Sequence, residues 1–236
     1  MASTSEIGHA KNVANFQDLI EFVTAYGATY NPSKNSLKLP QLIALKASAD
    51  ATLADVITKN TNYNNKVNER ITAFSGLKSL STRLVNALQT TDATTETIGN
   101  AKTFNRKMQG KKASSSQTPT DPNTPAPNTI STSQQSYDQL IQHLAGLTSI
   151  LEAETSYTPN ETDLQVATLQ TKIADLTAKN TAVATAYASI SNSRIARNET
   201  LYSSSTGLVE TANEVKKYIK SVFGASSPQF AQVKGI

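Results

Sequence analysis

LIALKASADATLADVITKNTNYNNKVNERITAFSGLKSLSTRLVNAL, residues 42–88, decides the fold class. Leu42, Ala49, Val56, Tyr63, Leu77 and Leu84 fall at multiples of seven, and Leu53, Val67, Phe74 and Leu88 occupy interleaved positions. An apolar residue every 3.5 positions on average draws one stripe along an α-helix, as in helices packed like coiled coils. A strand needs strict alternation, which is absent here, and Ala, Lys, Gln and Leu are helix formers. The stretch predicts either two long helices, with Ser75-Gly76 as a candidate fold-back point, or one helix of twice the length, since heptad phase passes through Gly76. The hairpin is favoured because a single helix would leave its seam exposed.

The second half repeats the pattern. Leu169, Leu176, Val183 and Ile190 recur at sevens, interleaved with Ile173, Tyr187, Leu201, Leu208, Val215 and Val222. Its candidate fold-back points are Ser191-Asn192-Ser193 and Ser203 to Gly207. Local sequences also answer each other in order. Phe16 to Ile20 matches Tyr137 to Ile141, Tyr30-Asn-Pro32 matches Tyr157-Thr-Pro159, and Ala54 to Thr61 matches Ala174 to Thr181. Glu96-Thr97 matches Glu210-Thr211, and Gly110 matches Gly224. Such an ordered set points to duplication. The fold expected is all-α: an elongated antiparallel helical bundle with coiled-coil-like packing, made of two tandem copies of a three-helix unit.

Between the halves lies GKKASSSQTPTDPNTPAPNTISTSQQ, residues 110–135, with four of the eight prolines and no apolar periodicity. Proline there excludes helix and favours an extended linker. The expected organisation is therefore a first repeat over 1–109, a Pro/Ser/Thr-rich linker over 110–135, a second repeat over 136–224 and a tail over 225–236. In each repeat a first helix precedes an x-Pro turn, with Ser36, Thr162 or Asp163 as capping candidates for the long helix. Pro228 should stop the last helix, leaving Phe230, Val233 and Ile236 either to pack back on the bundle or to stay loose.

The composition narrows the function classes. Apolar residues are 38% and aromatics 6% of 236, with no Trp, which favours narrow seams between helices over one thick core. Cysteine is absent, so disulfides, thiolate metal sites and thiol nucleophiles are excluded. Two histidines, His9 and His143, give no Ser-His-Asp set, and His143 has Leu140 where a ferritin-like metal site needs Glu. The pairs Asp18/Glu21 and Glu210/Glu214 stand at helical-neighbour spacing, which wet helix faces show routinely. No phosphate-loop pattern occurs. The chain is expected to be no enzyme and to need no cofactor or metal.

The net charge is +4, and the cations cluster. Lys102, Arg106, Lys107, Lys111 and Lys112 crowd the end of the first repeat, and Lys216, Lys217 and Lys220 the end of the second. As a candidate anion contact they would meet nucleic acid phosphates or an anionic membrane surface. The plainer reading is that cations are favoured at helix C-termini by the backbone dipole. Asn60 and Asn180, each after Lys and before Thr, are candidate polar seam residues that set helix register.

The expectation is a non-enzymatic helical scaffold or interaction protein, binding a protein partner or itself through long helix faces. A basic module for nucleic acid or anionic membrane is the alternative, and a component of a helical-bundle toxin or a secreted structural subunit a second one. The start of the chain shows no apolar signal region and no segment long enough to span a bilayer, so the cytoplasm is the expected compartment, with non-classical export open.

Overall fold

The computed structural model describes residues 8–110 and 135–236, and among these every regular element is helical. The α-helices are α1 (His9–Ala25), α2 (Leu39–Phe74), α3 (Leu77–Leu88), α4 (Thr95–Gln109), α5 (Tyr137–Ala153), α6 (Val166–Tyr202), α7 (Leu208–Phe223) and α8 (Pro228–Val233). Short 3-10 turns stand at Gly27–Thr29, Asn35–Leu37 and Thr162–Leu164.

Apolar spacing explains which face each helix buries. On α1, Val13, Phe16, Leu19, Ile20 and Val23 recur at three and four residues and are all buried. On α5, Ile141, Leu144, Leu147 and Leu151 do the same. Local chemistry fixes the ends. Ser136 Oγ accepts from Gln139 N–H at 3.3 Å, Thr94 Oγ1 from Thr97 N–H at 3.2 Å and Ser227 Oγ from Phe230 N–H at 3.1 Å. Gly110, left-handed at φ 74, closes α4.

The x-Pro turns before α2 and α6 are built alike. Tyr30 Oη donates to the Leu37 carbonyl at 2.7 Å, and Tyr157 Oη to the Leu164 carbonyl at 2.9 Å. Each bond ties the turn to a 3-10 turn seven residues on, and both phenols are buried among apolar side chains. Burial raises both phenol pKa values, that of Tyr157 to about 12.

The chain divides into two compact units, and the division cuts across α2 and α6. The first unit comprises the chain up to Asn64 with Ala186–Ile236, the second Asn65–Thr185. In the first unit α1 and the opening turns of α2 share a core with Leu201, Leu208, Val215, Ile219 and Val233. In the second, α3 and α4, through Leu77, Leu84, Leu88 and Met108, share a core with Leu144, Leu147, Leu169 and Leu176 from α5 and α6. Each unit thus takes the first helix of one half of the sequence and the last helices of the other.

Several expectations need correcting. The first half carries a fourth helix, because Ser75-Gly76 only interrupts the periodic stretch and α3 follows at once. Gly76 keeps a right-handed helical conformation (φ −92, ψ −1), so heptad phase carries through it into α3. The second half has no counterpart of α3, so a strict three-helix unit does not describe both halves. Ser191, Asn192 and Ser193 lie inside α6, which ends only at Tyr202, before the Ser203 to Gly207 turn. Ser36, Thr162 and Asp163 sit in 3-10 turns and cap no helix. Pro228 opens α8 instead of ending the chain's helices, and Val233 is fully buried with Phe230 and Ile236 packed beside it. Residues 111–134, including most of the expected linker, lie outside the described residues.

Candidate interaction face

In the first unit α2 and α6 run antiparallel. Ser193 Oγ donates to Asp55 Oδ2 at 2.6 Å, and the Tyr63 and Tyr187 rings meet with centroids 5.9 Å apart. The numbers of each pair add to nearly the same total, which only opposed helices produce. Their shared seam holds Val56, half-buried, and Ile190, 1% exposed. Large apolar side chains also stay exposed, Ile57 and Ile195 outside the seam and Tyr187 beside its ring contact with Tyr63. Ile57 is 68% exposed, Ile195 62% and Tyr187 59%.

Helical geometry puts these residues together. At about 100° per residue, Ala54, Ile57 and Thr61 form a stripe roughly a third of a turn from the buried stripe of α2. Ala188, Ser191 and Ile195 form a stripe displaced in the same sense from the buried stripe of α6. In an antiparallel pair, equal rotational displacement places both stripes on one side. The result is a face of small residues with Ile57, Ile195 and Tyr187 standing from it.

In the second unit the same helices meet through charge. Glu69 takes Lys66 Nζ at 2.8 Å and Lys179 Nζ at 3.0 Å. Arg70 Nη1 donates to Asn180 Oδ1 at 2.9 Å, and Asn180 Nδ2 to Asp138 Oδ1 at 2.7 Å. The Arg70 guanidinium lies 3.9 Å over the Tyr137 ring, whose neighbour Phe74 packs edge-on at 4.7 Å. Hydrogen bonds from Lys66 and then Lys179 hold the Glu69 carboxyl below its ordinary pKa. Nearby a groove of about 500 Å³ runs past Gly76, Leu80, Lys172 and Asp175, with the Arg83–Asp163 ion pair on its edge.

The residues singled out from sequence are scattered by comparison. Asn180 joins the α2–α5–α6 junction of the second unit, whereas Asn60 belongs to the first. They also stand at unequal depths, the fifteenth residue of α6 against the twenty-second of α2, so helix starts do not bring them into correspondence. Lys102, Arg106 and Lys107 lie in the second unit, Lys216, Lys217 and Lys220 in the first; Lys111 and Lys112 are outside the described residues. Several of these cations are engaged locally. Arg106 donates to Thr103 Oγ1 at 3.0 Å, Lys107 lies 5.6 Å from the Phe104 ring centre, and Lys220 lies 5.7 Å from that of Phe230. Lys216 is half-buried, donates to the Ile236 backbone oxygen and has its pKa lowered by burial. Lys217 stands 3.9 Å from Glu210, while Lys102 is exposed. Arg106, Lys107 and Lys220 occupy last helical turns, where the backbone dipole favours them.

Sequence reasoning did not single out Arg70, Glu69 or the Ile57–Ile195 face. A signal for the face existed. Ile43, Ile57 and Ile71 stand fourteen residues apart, one position after the Leu42, Val56 and Arg70 stripe. Among the described residues no group of three or more His, Asp or Glu is placed to hold a metal ion, and no helix is long and apolar enough to cross a membrane. No protein-family model, curated protein or solved structure matches this chain.

Proposed function

We propose that this is a helical interaction protein that acts without group chemistry of its own and docks an amphipathic helix of a partner protein on the α2–α6 face of the first unit. The observation that carries this reading is the exposure of Ile57, Ile195 and Tyr187 on one side of two adjacent helices. A single exposed apolar residue is ordinary. Three large ones on a face that otherwise carries the small residues Ala54, Ala188 and Ser191 suit the docking of an amphipathic helix. No comparable observation favours an anion-binding role, because most of the clustered cations among the described residues contact their own helix ends or neighbours.

The two halves are read as copies of one ancestral segment. Supporting this are the paired Tyr30–Leu37 and Tyr157–Leu164 bonds and the lengths of α2 and α6, 36 and 37 residues. Coiled-coil-like packing along α2 and α6 is supported by their heptad-spaced seams and by the antiparallel contacts within each unit. Asn180 is the better candidate for setting register, since it bonds residues of two other helices.

Photo-crosslinking in the source cell tests the docking face. A photoreactive residue at Ile57 and, separately, at Ile195 should trap one and the same protein, while the reagent at exposed Asn62, on the other side of α2, should not. Adducts only between copies of this chain, or equal labelling at Asn62, would refute the partner-helix reading.

A further inference from the structure

We propose that the surface by which each half of the chain completes the other also accepts a second copy of this chain, through exchange of whole halves. The interaction rests on the composition of the units and is independent of whether the Ile57–Ile195 face is occupied. Each of the two cores draws residues from both halves. The buried stripe of α1, from Val13 to Val23, is covered by Leu208, Val215 and Ile219 of α7, which belongs to the other half. The buried stripe of α5, from Ile141 to Leu151, is covered by α3 and α4 through Leu84, Leu88 and Met108. A half without its complement exposes two apolar faces, and any copy of the other half covers both equally well.

The connection between halves does not dictate which copy that is. Gln135 Nε2 donates to the Lys107 carbonyl at 2.6 Å, and a Cβ on Gly110 would come within 3.1 Å of the Gln135 side chain. The two ends that the connection joins are therefore in contact. Antiparallel helices with touching ends need a loop of only about 2–5 residues. This chain places 24 residues, 111–134, between them. A connection several times longer than closure requires does not force self-pairing, and a flexible tether would present the second half at an effective concentration of about millimolar, falling further with tether length. Self-pairing prevails in dilute solution. Near a tenth of that effective concentration, exchanged dimers should hold on the order of a tenth of the chains, because every contact except the tether is conserved. Exchange requires both cores to open, so it equilibrates on refolding and not on simple concentration.

The cysteine-free chain allows a direct readout. Asp55 and Ser193, one from each half, touch at 2.6 Å inside the first unit. Full-length Asp55→Cys and Ser193→Cys variants of different mass tags are unfolded together, refolded at about 200 µM or at about 2 µM, concentrations chosen against the millimolar tether, and oxidised. The expected result is a disulfide-linked heterodimer joined at 55 and 193, at least several-fold more abundant at the higher concentration. The control pairs Asn62→Cys with Ser193→Cys, since Asn62 faces away from α6. A heterodimer yield no greater than the control, or independent of concentration, overturns the proposal. Wild-type chain refolded at the same two concentrations provides a second measurement that needs no substitution. Sedimentation should show a dimer with unchanged helical circular dichroism at the higher one, and monomer alone at both overturns the proposal equally.

Discussion

In the second unit α2 meets α6 through Lys66, Glu69, Arg70, Lys179 and Asn180; in the first, the same two helices meet through Asp55, Ser193 and two tyrosine rings. Charged side chains that hydrogen-bond across helices accept few alternative alignments, so the second unit's pairing is specified by polar geometry. The first unit's pairing has one such bond, Ser193 to Asp55, beside the tyrosine contact, and leaves Ile57 and Ile195 exposed. A helix pair that is clamped on one stretch leaves another stretch free to carry binding residues that add nothing to folding. The expected energetic hierarchy is cores first, then buried turn bonds, then the charged clamp, then the open face.

The largest effects should come from the cores. Phe16, 1% exposed, anchors α1 in the first unit, and Leu147, fully buried, anchors α5 in the second. Phe16→Ala should cost about 3–5 kcal/mol and Leu147→Ala about 2–5 kcal/mol, from lost transfer energy plus the cavity left behind. Denaturant unfolding followed by circular dichroism measures both. A cost below about 1 kcal/mol at either site would mean that its unit lacks the core described, since surface changes stay within that range.

Next come the turn bonds, which the two halves build alike. Tyr30→Phe and Tyr157→Phe each leave a carbonyl, of Leu37 or Leu164, without its phenol donor. Each should cost about 1–2 kcal/mol, the range for stranding a buried acceptor. The two costs should agree within about 0.5 kcal/mol if the turns are energetically as well as geometrically alike. A cost confined to one of them would separate the halves.

Sequence made the fold class legible, because a stripe every 3.5 residues identifies a helix and its buried side together. It also revealed the tyrosine turns, since Tyr30 and Tyr157 precede their prolines at matching places. It concealed what covers each stripe. The Val13 to Val23 face reads the same whether α4 or α7 packs on it, and only three-dimensional closure selects α7. The Arg70 site was hidden for a related reason. Arg70 interrupts the heptad series at a seam position, and its partners Asn180 and Tyr137 lie 110 and 67 residues away. No local spacing encodes that meeting. Asn60 and Asn180 looked equivalent because short flanking sequences agree, whereas helix starts set them seven residues apart in depth.

The charged clamp should give a smaller, pH-dependent effect. The Glu69 carboxyl, ordinarily titrating near 4.5, is held lower by its bonds from Lys66 and Lys179. Its folded value lies below its unfolded one, so its contribution is fully present above about 4.5 and is lost as the pH falls through the lowered value. Asp163, lowered by Arg83, acts in the same direction. Glu69→Gln should leave the protein slightly less stable at neutral pH and flatten the fall in stability below pH 4.5. Thermal melts across that range compare the two profiles, and identical slopes would show that the clamp carries no differential charge energy.

The smallest effect on stability is expected where the functional effect should be largest. Ile57→Gln and Ile195→Gln replace side chains already 68% and 62% in water. Little apolar area is returned to solvent, and Gln suits a helix at least as well as Ile. Each change should shift unfolding by no more than about 0.5 kcal/mol while abolishing the crosslinked partner adduct. The pairing of these two outcomes is what distinguishes a binding face from a core. A loss of about 2 kcal/mol from Ile57→Gln would mean that the chain itself already covers that side of α2, and the partner helix would then have no vacant surface on which to lie.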